Sequence, residues 1–213
     1  MLTIVVFLQS PISMLAAMVF KNDTAWPEDL LALFTRQPTR MATLERRYYG
    51  PDDKLLNYCI GESFNFYVAS QKSSDDERRD IFKFDSISIV VYDRADNPVL
   101  LIEVRDETWA LKAELRYRAG ENMRDRYAFM LDECAIPRLW GLSLIGTSMR
   151  FYWGDKETCI LNPPSIPRPD TSCVLPPSFL ANEWDLDILS QDGFEKLKEI
   201  MNDISNNTFF FTE

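Results

Sequence analysis

FDSISIVVYDRADNPVLLIEVR, residues 84 to 105, decides how this chain folds. Ile87 to Tyr92 is a β-branched and aromatic run, RADNP is turn-forming, and VLLIEV is a second run without polar alternation until Glu103. Two such runs around a short turn read as a β-hairpin. A strand apolar at successive positions is covered on both faces, so helices are expected on each side of the sheet it belongs to.

Outward from the hairpin, Phe64, Phe66 and Val68 alternate with Asn65, Tyr67 and Ala69, the two-residue period of a further strand. QKSSDDERRD, between that strand and the hairpin, reads as a solvated loop. On the other side, Leu111, Leu115, Ala119, Met123, Tyr127, Met130, Leu131 and Cys134 recur at intervals mostly of three or four. That spacing predicts one helix from Ala110 to Cys134, about seven turns long. Pro137 closes it, and LWGLSLIG with SMRFYWG reads as a second hairpin turning at Gly146-Thr147. NPPSIPRPDTSCVLPP is then an extended strap across the surface, followed by a helix from Gln191 to Ile204. Before the core, a short helix is expected over Glu28 to Phe34, a second over Met41 to Tyr49 stopping at Gly50-Pro51, and another turn or two over Leu55 to Ile60.

These segments make one α/β domain over residues 1–213: lead-in elements to residue 40, a core over 41–153, the strap over 154–190 and a helix over 191–206. With 213 residues and 46% hydrophobic content the chain is long enough to bury a substantial core. The first twenty residues are uncharged, but no basic stretch opens them and Gln9, Ser10, Pro11 and Ser13 interrupt the apolar run. A strand plus helix docked on the domain is therefore preferred to a targeting segment or membrane span.

A formal charge of −10 repels phosphate backbones, so nucleic acid could bind only at a local site, while a protein partner meets no such barrier. The absence of histidine excludes Ser-His-Asp and Cys-His triads and any His-containing zinc site. Cys59, Cys134, Cys159 and Cys173 form no C-x-x-C pair and read as reduced thiols of an intracellular protein; secretion would leave two disulfides open.

Chemistry concentrates in the hairpin. With the turn centred near Ala95, antiparallel partners have numbers summing to about 190, which sets Asp85 opposite Arg105 and Ile87 opposite Glu103. Asp85, Glu103 and Arg105 then share one face, and a slip of one residue would separate Asp85 from the other two. Asp85 and Arg105 could form a plain cross-strand ion pair, worth at most about 1 kcal/mol if exposed. The sharper reading makes Asp85 and Glu103 oxygen ligands of Mg²⁺, with metal-bound water as the nucleophile.

An Asp opening one strand, a Glu-x-Lys on the next and a helix after it resembles the PD-(D/E)XK restriction-endonuclease-like superfamily. The likeness, as in uncharacterised fungal proteins, runs from about Thr43 to Tyr152. It implies a mixed central sheet flanked by helices and a Mg²⁺-dependent phosphodiesterase. Phe84-Asp85 stands at the family's Pro-Asp and Glu103-Val104-Arg105 at its Glu-x-Lys. Glu45 in ATLERRYYGP would match the acid of its first helix, and Asn122 in RAGENMRDRY a polar residue on the helix after the motif.

Arg105 departs from the family's lysine, because a guanidinium cannot deprotonate water and can only position a group or stabilise negative charge. Lys112 could stand in for that lysine but reads better as a solvated residue. The substitution opens the alternative: an inactive nuclease-fold domain kept for protein or nucleic-acid binding. Asp106 and Glu107 are expected to start the long helix. RRYY at Arg46 to Tyr49 reads as a helix surface, Arg116, Arg118, Arg124 and Arg126 as cations paired with acids of their own helix, and Trp184 as an anchor for the strap.

Overall fold

The computed structural model describes residues 19–35, 46–61, 65–72, 87–169 and 174–208. Their elements are α1 (Val19–Asn22), α2 (Glu28–Thr35), α3 (Arg46–Ile60), β1 (Phe66–Lys72), β2 (Ile87–Asp93), β3 (Pro98–Arg105), a 3-10 turn (Glu107–Leu111), α4 (Ala113–Met130), β4 (Arg138–Ile145), β5 (Ser148–Asp155), β6 (Leu161–Asn162), β7 (Leu186–Asp187) and α5 (Gln191–Thr208). The strands form one seven-stranded sheet in the order β1-β2-β3-β4-β5-β6, with β7 also on β5. Only β3 and β4 run parallel. A parallel neighbour demands a crossover, and α4 supplies it.

The central hairpin forms where expected, and every residue of β3 is buried. Its turn is sealed by Asp93, whose Oδ1 accepts from the amides of Ala95 and Asn97 at 2.9 Å each, while Asp96 takes φ 63°. The register differs from expectation. Tyr92 pairs with Pro98 as the turn centre predicts, but a bulge between Val91 and Tyr92 moves the rest by one, so Ser88, not Ile87, faces Glu103. Asp85 lies outside the described residues; the counting that set it beside Glu103 does not hold along β2.

Other boundaries shift for physical reasons. α3 runs through Gly50-Pro51 instead of stopping there, because Leu55, Leu56, Cys59 and Ile60 bury one continuous stripe against the sheet. The start expected at Met41 lies outside the described residues. The long helix is shorter than its periodicity suggested: 18 residues, about five turns. Asp106 does cap its approach, its Oδ1 accepting from the Thr108 amide at 2.8 Å, but the turn it caps is 3-10, and Lys112 at φ −121°, ψ 122° breaks the two apart. Lys112 is exposed, as expected.

One sheet face carries Leu100, Ile102, Val104, Trp140, Leu142 and Leu144 under α3 and α5. The opposite face receives α4, and Tyr127 fixes how closely. Its ring lies over Gly141 of β4 and Gly154 of β5, and its hydroxyl donates to the Leu139 carbonyl at 3.2 Å. A Cβ on Gly154 would meet Tyr127 Cδ1 at 2.8 Å. Gly154→Ala is expected to cost about 1 kcal/mol in urea unfolding, since the buried ring has little room to retreat; an unchanged midpoint would show that the cradle is slack.

Arg116 and Arg124 of α4 hold the strap instead of pairing chiefly along their own helix. Arg116, 4% exposed, donates to the carbonyls of Ala110, Pro177 and Phe179, reaching the last at 2.7 Å. Arg124 donates to the Pro163 carbonyl at 2.7 Å and keeps only a long contact to Glu121, 3.9 Å. Arg168 of the strap returns the bond to Glu114 at 3.0 Å. The strap is otherwise without regular structure over residues 163 to 169 and 174 to 176. Among the described residues, Cys59, Cys134 and Cys159 are free thiols, and no helix is long and apolar enough to cross a membrane.

Candidate functional site

The α4 side of the sheet is where Glu103, Arg105 and Asn122 fall, and its polarity follows from strand register. Ser88, Glu103, Ser143 and Arg150 stand in one row across β2, β3, β4 and β5, all buried. A polar row on a covered sheet face must satisfy itself internally, because each unmet buried group costs about 1–3 kcal/mol.

Glu103 is the centre of that satisfaction. It is 2% exposed, its Oε2 accepts from Arg105 Nη2 at 3.1 Å and its Oε1 accepts from Arg126 Nε of α4 at 2.7 Å. Arg105 is equally buried and lies 4.7 Å over the Trp109 ring, which the 3-10 turn places there. Farther along the row, Trp184 Nε1 donates to Ser143 Oγ at 3.2 Å, which bears out its reading as an anchor. Arg150 pairs with Glu183 at 2.7 Å and stacks on Trp184 and Tyr152. Burial pushes the Tyr152 hydroxyl up to about 12. Among the described residues the hydroxyls of Ser88 and Tyr152 find no hydrogen-bond partner.

Of the five residues expected at the site, Glu103 and Arg105 are together, Asn122 is half-buried one turn before Arg126 on α4, and Asp85 and Glu45 lie outside the described residues. Arg46 and Arg47 of the RRYY stretch likewise have side chains outside them; Tyr48 is buried and donates to Glu107 at 2.7 Å. Ser88, Ser143 and Arg150 were missed. Each is a single polar residue between apolar neighbours (Ile87 and Ile89, Leu142 and Leu144, Met149 and Phe151), and only the strand order and register bring the three into one row.

A Mg²⁺ ion needs carboxylate oxygens presented to open space with room for several waters. Glu103 does not fit that need: both its oxygens meet guanidinium groups, and two positive charges border the position a cation would take. Among the described residues no three acids or cysteines gather in a way that could hold a metal. What the arrangement does chemically is lock β3 to α4 through a charge network in a desolvated seam.

Set against known proteins, the chain matches no family model, no curated protein and no solved structure.

Proposed function

We propose that this chain is a non-catalytic α/β domain serving protein binding, and not a working Mg²⁺-dependent phosphodiesterase. The observation that carries the reading is the state of Glu103, 2% exposed with each carboxylate oxygen on a different arginine. Arg105 in the lysine position points the same way, since it cannot act as a base. The charge of −10 favours a protein over a nucleic acid as the partner.

Calorimetric titration of Mg²⁺ and Mn²⁺ into the whole protein and into Glu103→Gln tests the reading. Neither protein is expected to show saturable binding at millimolar metal. Stoichiometric binding to the wild type, weakened in Glu103→Gln, would restore the phosphodiesterase reading and overturn this one.

A further inference from the structure

Residues 163 to 169, PPSIPRP, are nearly committed to one conformation before anything binds them. Proline fixes φ near about −65°, and the residue before a proline is driven to extended or polyproline II backbone. Of the seven, only Ser165 escapes both constraints. The structure adds two pins. Arg124 Nη2 holds the Pro163 carbonyl at 2.7 Å, and Arg168 binds Glu114 at 3.0 Å with its guanidinium 6.0 Å over the Tyr117 ring. Between the pins Pro164, Ser165, Ile166 and Pro167 all face solvent, Ile166 at 39% exposure. Ile166 thus keeps part of its apolar surface in water beside prolines on either side.

We infer that this segment is a docking ligand for a partner domain of the SH3 kind, whose aromatic-lined groove reads an extended P-x-x-P chain. Polyproline II has three residues per turn, so Pro164 and Pro167 fall on the same edge, with Pro163 and Ile166 beside them. Two dipeptides, Pro163-Pro164 and Ile166-Pro167, thus present equivalent apolar knobs one turn apart, the pattern such grooves accept. The pins remove entropy that a free proline-rich tail would lose on binding, which raises affinity without adding a contact. The inference rests on the protein-binding reading and names its partner class. Metal titration decides the first and domain binding the second, so either can fail alone.

The experiment is titration of the full-length protein against an array of purified SH3 domains, read by calorimetry. At least one is expected to bind in the micromolar range, and Pro164→Ala with Pro167→Ala should weaken it about tenfold or more. Thermal unfolding of that variant should match the wild type, because both side chains are exposed; if it does not, Ile166→Asp supplies the same reading at a second position. Arg124→Met, which releases one pin, should weaken binding by a smaller factor. Silence across the array, or binding that survives the substitutions, overturns the proposal.

Discussion

Glu103→Ala is expected to destabilise the protein by about 3–5 kcal/mol, because it removes a buried carboxylate that two guanidinium groups share, Arg105 at 3.1 Å and Arg126 at 2.7 Å. At about 2–4 °C per kcal/mol for a chain of this size, the melting point should fall by about 10 °C. The size of the effect comes from the asymmetry of buried pairs. Their attraction barely exceeds the desolvation it offsets, but deleting one partner takes that offset away while the other charge stays buried. Removing both should therefore hurt less: Glu103→Leu with Arg105→Met is expected to recover much of the loss. Arg126, partly exposed, can turn its charge toward water. An acid kept for a metal behaves oppositely. Clustered carboxylates repel one another without their ion, so deleting one leaves the metal-free protein as stable or more so. An unchanged or raised melting point in Glu103→Ala would thus count against the structural role assigned here.

How much of this was legible in the sequence differs between fold and site. The hairpin was legible because β3 is apolar at consecutive positions and Asp93 to Pro98 is dense in turn-forming residues, both local signals. The second hairpin at Gly146 and the C-terminal helix were legible for the same reason; Gly146 takes φ 62°, which its sequence position advertised. The long helix was overestimated because Leu111, which fits the period, lies exposed in the 3-10 turn, because Leu131 and Cys134 are buried beyond the helix end, and because nothing in the period marks the extended backbone of Lys112.

The site was less legible, and one residue accounts for most of that. A bulge beside the turn inserts a position into β3, and the two-residue period of a strand converts that insertion into an exchange of faces. Ser88 consequently takes the place opposite Glu103. Tertiary partners were hidden for a different reason. Arg126 and Arg116 sit on α4 amid Glu114, Glu121 and Asp125, so helical pairing was the economical reading. Only the fold brings Glu103 and the strap carbonyls within their reach, and a buried carboxylate or carbonyl outcompetes an exposed one that water already serves. The strap itself was legible in outline because proline excludes regular structure, whereas the arginines that seat it were not.

Replacing Asp52 by leucine is expected to stabilise the protein by about 2 kcal/mol at neutral pH. Asp52 lies on α3, 2% exposed, among Leu55 and Leu56 of its own helix, Ile102 of β3, Leu142 and Leu144 of β4, and Ile188. Its Oδ2 finds no hydrogen-bond partner among the described residues, and burial holds its carboxyl well above the usual aspartate value of 3.8. The sign follows from linkage. The folded chain keeps this proton when the unfolded chain has released it, so the carboxyl leaves stability intact below the unfolded pKa. As pH rises from there toward the folded pKa, stability is progressively lost, and above the folded pKa the penalty is constant. Leucine removes both the unmet polar atom and the proton linkage. Urea unfolding from about pH 4 to about pH 8 should therefore show wild type and Asp52→Leu converging in acid and separating as pH rises. Asp52→Asn should share the flatter pH response while keeping a buried amide to satisfy, and so fall below Asp52→Leu at every pH. Parallel curves for wild type and both variants would mean that Asp52 reaches water or a partner in solution, and that the seam between α3 and the sheet is more open than its packing indicates.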